Sequence, residues 1–154
     1  MTISNCDLGF AIILLAFISN SSFSQEAGEG YKHSNTVELF IGGTIDDNDM
    51  HASIGAAYER RHSEPFGVGA LVDITAGRRD WVVAVPFFWH PQEPLRLLVA
   101  PGVDHDGSDN EFLVRLGGSY EIEFDGWSLS PELNLDFVDG DVLTVLGVSF
   151  GWKF

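Results

Sequence analysis

Arg96, Arg115 and Lys153 recur at positions of the same parity as Glu38, Glu59, Asp73, Glu121, Glu132 and Asp136 within stretches that alternate apolar and polar residues. In extended chain that spacing puts them on one face. Charges gathered on one sheltered face must be paired, hydrated or neutralised, so the chemistry available is ion pairing, or ion passage where pairs can exchange partners. If the strands either side of Asp125-Gly126 form a hairpin, Arg115 faces Asp136, with Glu132 within reach. Arg96 then comes near Glu121, and Lys153 meets Glu38 where a first and a last strand would close. Acids outnumber bases on this face, which leaves Glu59 and Asp73 as carboxylates without a cationic partner.

A second group is acidic and lies between the alternating stretches: Asp46-Asp47-Asn48-Asp49, Asp104 to Glu111, and Asp139-Gly140-Asp141. Oxygen-rich clusters suit Ca²⁺, and Asp104, Asp106, Asp109 and Glu111 are the best candidates. Their spacing departs from an EF-hand loop, because Gly107 comes too early and no Glu stands at the twelfth position. Solvated turns are the simpler expectation. His51, His62 and His90 sit at strand ends without ligand spacing, and Arg60-Arg61-His62 and Arg78-Arg79 read as basic surface turns. No metal or other cofactor is expected.

The elements that position these residues are strands. No helical period is found beyond the first residues; runs of alternating hydrophobicity are punctuated by Gly, Pro and Asp. Eight strands are predicted: Thr36 to Ile45, Ala52 to Arg60, Phe66 to Thr75, Trp81 to Trp89, Leu95 to Val103, Glu111 to Phe124, Trp127 to Phe137 and Val142 to Phe154. Most have the nine to eleven or so residues that a tilted strand needs to cross a bilayer. One face is bulky and apolar, as in Trp81, Val83, Val85, Phe87 and Trp89; the other carries the charges above with many glycines and serines. An eight-stranded lumen has room mainly for small side chains, so the bulky face is assigned to the outside. Pro86, Pro101 and Pro131 fall inside strands, where each removes a hydrogen-bond donor; a local bulge or bend is expected where Pro86 and Pro101 lie nearly opposite.

The first residues are read as a leader. Phe10 to Ile18 is an unbroken apolar run followed by Ser19-Asn20-Ser21-Ser22 and a small-x-small step at Ser22-Phe23-Ser24, the layout of a secretory signal peptide cut before Gln25. This divides the chain into 1–24, a short segment 25–35, and a barrel over 36–154. The run is about half the length of a spanning helix. Cys6, the one cysteine, falls within the leader, so no disulfide is expected. The formal charge of −15 argues against nucleic acid, which requires a basic footprint.

Aromatic residues sort to two levels of the apolar face. With both termini on one side, Tyr58, Phe66, Trp89, Phe124, Trp127, Trp152 and Phe154 fall near one rim, and Trp81, Phe112 and Phe137 near the other. Two aromatic girdles around an aliphatic band are expected of transmembrane barrels; the competing reading is the two ends of a sandwich core. The chain ends in Phe150-Gly151-Trp152-Lys153-Phe154. This strand resembles the last strand of bacterial outer-membrane barrels, and residues 36–154 as a whole resemble the small eight-stranded members, the OmpA membrane domain, OmpX and OmpW types. The resemblance implies an all-β, eight-stranded antiparallel up-and-down transmembrane barrel in the bacterial outer membrane. It also implies outer-membrane lipid as surroundings and recognition of Phe154 by the barrel-assembly machinery.

Fold does not choose a function within this group. Lipid A deacylases, which share the fold, use a His, a Ser and an acid; here His105, Ser108 and Glu111 sit within one predicted loop rather than on rigid strands, and geometry is what activates a serine. Short loops leave little surface for an adhesin. The expectation is a non-enzymatic, structural barrel, with a narrow channel as the alternative. A soluble barrel holding an apolar ligand, which requires the oily face inside, is the third reading.

Overall fold

The computed structural model describes residues 34–47, 49–77 and 80–154. The leader and most of segment 25–35 lie outside the described residues. Those described form ten strand segments and no helix: β1 Asn35–Asp46, β2 Asp49–Arg61, β3 Phe66–Thr75, β4 Asp80–Ala84, β5 Phe87–Gln92, β6 Leu95–His105, β7 Asn110–Tyr120, β8 Ile122–Glu123, β9 Trp127–Val138 and β10 Asp141–Lys153. Two breaks divide what are eight barrel strands, because β4 and β5 continue one another between β3 and β6, and β7 and β8 do so beside β9.

All neighbours are antiparallel, and the sheet closes on itself. β1 pairs with β10 from Thr36 opposite Lys153 to Ile45 opposite Thr144. At the seam's end the Asn35 and Phe154 main chains exchange N–H···O bonds of 3.0 and 2.9 Å. Closure removes the edge strands that would otherwise expose unpaired backbone. The connections are tight: Asp139-Gly140, with φ of +46° and +95°, is a two-residue Asp-Gly turn whose twist matches that of a hairpin.

Both interruptions trace to proline. β4 ends at Ala84 and β5 begins at Phe87, yet Ala84 opposes Gly102 and Phe87 opposes Val99, so no residue is inserted. Of the bulge or bend expected at Pro86 and Pro101, the bulge does not form, and the ladder has a gap without a slip. Val85 N–H still donates to the Pro101 carbonyl and Gly69 N–H to that of Pro86, each at 2.9 Å, so the remaining donors and acceptors stay in use. The register shift lies between Trp89 and Gln92, next to the turn. β7 stops at Tyr120, the position that faces Pro131 between the pairs Ser119–Glu132 and Ile122–Leu129.

Burial runs opposite to that of a soluble protein. Leu39, Ile41, Ile54, Ile74, Phe87, Trp89 and Leu133 are about half exposed, whereas Glu38, Glu59, Asp73, Arg96, Arg115 and Asp136 are each under 9% exposed. The oily face is outside, as parity and side-chain volume require, and the soluble reading with an apolar interior is overturned.

Candidate functional site

The lumen is the one place where the charged face converges. It is not lined by small residues alone. Phe40, Leu71, Phe88, Leu113, Val138 and Val145 are buried inside it, in part because glycines on neighbouring strands leave the room. A Cβ at Gly42 or at Gly147, which oppose each other across the β1–β10 seam, would strike the Phe40 ring. Gly55 similarly makes space for the Asp73 carboxylate, Gly67 for that of Glu59, and Gly117 for the Asn134 amide.

Toward the loop end, β7 and β9 present Arg115 and Asp136 directly opposite one another. Arg115 Nε donates to Asp136 Oδ1 at 2.6 Å and Nη2 to Oδ2 at 2.7 Å, a bidentate fork. Arg115 Nη1 donates to Asp73 on β3. The guanidinium therefore ties β7 and β9 to the far wall. Asp73 is not the partnerless acid that the sequence suggested, because a strand three neighbours away in sequence order comes across the lumen. Glu132 is not within this cluster either. It accepts from Ser149 Oγ at 2.8 Å and from Asn134 Nδ2 at 3.0 Å.

Toward the end that holds the termini lies a larger network. Arg96 Nη1 donates to Glu38 Oε1 at 2.7 Å and lies 3.6 Å from Glu59, while its Nε donates to Ser119 Oγ at 3.0 Å. Its guanidinium also sits over the Phe88 ring, 5.1 Å from the centroid. The expected Arg96–Glu121 and Lys153–Glu38 pairs give way to Arg96–Glu38 and Lys153–Glu121, the latter at 3.0 Å, with Lys153 also bonded to Glu123. Pairing across a tilted barrel is set by height in the lumen, and Lys153 stands at the rim while Arg96 reaches inward. Glu59, also expected to lack a cation, has Arg96 and Arg61.

Two members of this network were placed elsewhere by the sequence. Arg61 belongs to the end of β2 and is largely buried, not a surface turn. His90 is 8% exposed and lies between them, with Nε2 2.8 Å from Glu59 Oε1 and Nδ1 within hydrogen-bond distance of Arg61 Nη2. The signal was available, since His90 shares parity with Phe88 and Arg61 with Glu59. A predicted strand ending one residue too early hid both.

Among the described residues Arg115 lines two small cavities, of about 30 and about 20 Å³. Both touch Asp73 and Arg115, so this ion pair stands between them. Asn134 Oδ1, buried and without a hydrogen-bond partner, belongs to a residue that lines the larger.

The loop candidates do not assemble. His105 Nδ1 lies 3.0 Å from Asn110 Oδ1, and Ser108 Oγ donates to Asp106 and Asp109 at 3.0 and 3.1 Å, so His105, Ser108 and Glu111 form no chain of hydrogen bonds. Asp104 faces the lumen at 8% exposure, while Asp106 accepts the amides of Ser108 and Asp109. Those two amides and the Ser108 hydroxyl hold the Asp106 carboxyl down at about 2. Among the described residues no group of three or more potential ligands is placed to hold a metal ion.

On the outside, Phe66 stands opposite Trp89 and Trp127 opposite Trp152, with Phe124 stacked on Trp127 at 4.2 Å between ring centroids. Tyr58, on the same rim, donates its hydroxyl to Asn35 Oδ1 at 2.8 Å. At the loop end Trp81 stacks on His105 at 5.0 Å, and Phe112, 69% exposed, stands opposite Val103. Phe154 is exposed at the seam.

No protein-family model matches the sequence, and no curated protein does so significantly. Solved structures do match. The N-terminal β-barrel domain of Pseudomonas aeruginosa OprF superposes with a TM-score of 0.60 at 13% identity, over 80% of this chain and 100% of that one. Ail, the attachment invasion locus protein of Yersinia pestis, gives 0.58 at 9% identity with the same coverage. A de novo designed transmembrane β-barrel gives 0.55 at 12%, over 86% of this chain and 100% of the design. That a designed sequence is among them underlines that the likeness is one of architecture. With its oily face outward and its sheet closed, this chain has the fold of the small eight-stranded transmembrane barrels of the bacterial outer membrane.

Proposed function

We propose that this protein is a closed, non-enzymatic barrel of the bacterial outer membrane whose role is structural. The observation that carries the reading is the state of the lumen around Arg115: side chains and the Arg115–Asp73–Asp136 cluster fill it among the described residues, and the cavities that Arg115 lines measure about 30 and 20 Å³. Spaces of that size hold one or a few waters, not a solute. The short turns argue in the same direction, because they leave little surface for recognition. Both termini face the periplasm in this reading, and outer-membrane lipid surrounds the aromatic girdles of Tyr58, Phe66, Trp89, Trp127 and Trp152 on one side and Trp81 and Phe112 on the other. The barrel-assembly machinery recognises the last strand through Phe154.

The test is to express the full-length chain in a Gram-negative host, separate the membranes, and compare boiled with unboiled outer-membrane protein by electrophoresis. A folded barrel migrates differently when unboiled; recovery from the soluble periplasm would refute the reading. Purified protein in planar bilayers should then show no steady conductance at neutral pH. A narrow channel is the second reading, favoured by the two cavities meeting at one ion pair. It requires conductance in the wild type that changes when Arg115 is replaced.

A further inference from the structure

We propose that a groove on the outer face of β7, β9 and β10 holds one acyl chain of a phospholipid of the periplasmic leaflet. The inference rests on the membrane setting proposed above and adds a defined lipid site to it. Two neighbouring rows of outward positions run across these strands. One is Leu97, Gly118, Leu133 and Leu146; the next, toward the terminus end, is Leu95, Tyr120, Pro131 and Val148. Each row has a low point. Gly118 has no side chain, and the Pro131 ring is closed onto its own main chain. These two positions, diagonal neighbours on β7 and β9, join into an open groove of about 590 Å³. Apolar side chains flank it, and Tyr120 and Leu133 are each 54% exposed. The volume falls in the range of small-molecule sites, roughly 300–1,000 Å³.

Depth selects the occupant. Pro131 lies four residues from Trp127 along β9, about 13 Å of extended strand. At a barrel tilt of about 40° that places the groove about 10 Å below the girdle. Half a hydrocarbon core is about 15 Å thick, so the groove opens where lipid presents acyl chain and not headgroup. A second barrel would present a convex wall, and apolar contact alone does not drive association in a medium as apolar as leucine. The segment Gln25 to His33 carries Glu26, Glu29 and Lys32, which are costly to bury unpaired in hydrocarbon. A flexible chain needs neither a matching knob nor a hydrogen bond. It follows the groove and supplies the van der Waals contacts that Gly118 and Pro131 leave unmade.

Native mass spectrometry tests this on protein expressed from the full-length chain and purified from outer membranes in detergent, with palmitoyl-oleoyl phosphatidylethanolamine added as the probe. In protein that shows the heat-dependent gel shift, one lipid per barrel should survive the activation that strips the detergent. Gly118→Leu should abolish that retention. Its Cβ meets the Leu97 Cδ2 methyl at 3.2 Å and the Arg96 carbonyl at 3.7 Å, and the outward leucine can turn aside. Val148→Trp, which covers the groove from β10, should do the same and decides the matter if Gly118→Leu does not fold. Ala70→Leu, a small outward position opposite Tyr58 on β3, should retain the lipid as the wild type does. A wild-type barrel that retains no lipid, or variants at 118 and 148 that retain it fully, would overturn the site while leaving the membrane reading intact. So would equal loss in Ala70→Leu, or a dimer that Gly118→Leu dissolves. Recovery from the soluble periplasm would overturn both.

Discussion

At the scale of single residues, the lumen is governed by how each charge is compensated. Arg115 serves two acids on two strands. Arg115→Met leaves Asp73 and Asp136 buried and uncompensated, and should destabilise the barrel by about 3–5 kcal/mol, read as a lower midpoint in urea unfolding from lipid vesicles. Asp73→Asn should cost clearly less, because the fork to Asp136 survives. Asp106 belongs to the loop between β6 and β7. Its carboxyl is held at about 2, below the ordinary aspartate range, by hydrogen bonds to its ionised form. A depressed folded value contributes order that is present above the unfolded pKa and is lost as pH falls through the folded one. The amides of Ser108 and Asp109 should therefore keep their shifts down to about pH 3 and move near pH 2; in Asp106→Asn that transition should be absent. Which residues face the lumen was legible from parity. Which of them touch was not, as Arg96, Lys153 and Glu59 show, because partners across a lumen belong to strands remote in sequence.

At the scale of elements, the seam between β1 and β10 is the contact that closes the sheet, and there Gly42 stands opposite Gly147. A Cβ on either would meet the facing main chain and the Phe40 ring. Gly147→Ala should destabilise by about 1–3 kcal/mol through overpacking, and Gly147→Val should abolish the heat-dependent gel shift. The strand boundaries were readable to within a residue or two at most ends, since the alternation of oily and polar positions stops where the Gly, Pro and Asp turns begin. The sites that escaped were those where proline removes a donor. The sequence shows that Pro86 must interrupt a ladder but not whether a bulge or a gap absorbs it; the gap prevails because Val85 N–H and the Pro86 carbonyl both still find partners.

For the whole molecule, the girdles divide the tryptophans unequally between the two rims, with Trp89, Trp127 and Trp152 at the terminus end and Trp81 at the loop end. In the proposed membrane setting, brominated lipid confined to the leaflet at the terminus end should quench most of the fluorescence, and Trp81→Phe should remove most of what remains unquenched. Equal quenching from both leaflets would refute the placement. The sequence by itself determined the strand number and the composition of the two faces, because a period of two is a local property that every correct strand must satisfy, and side-chain volume favoured the bulky face outside. It also implied that the inside is charged. Only the tertiary structure decided that the apolar face looks outward in fact, that His90 and Arg61 join the lumen, and that Arg115 stands between two cavities. Closure and strand tilt bring together residues whose separation along the chain carries no information about their height in the barrel.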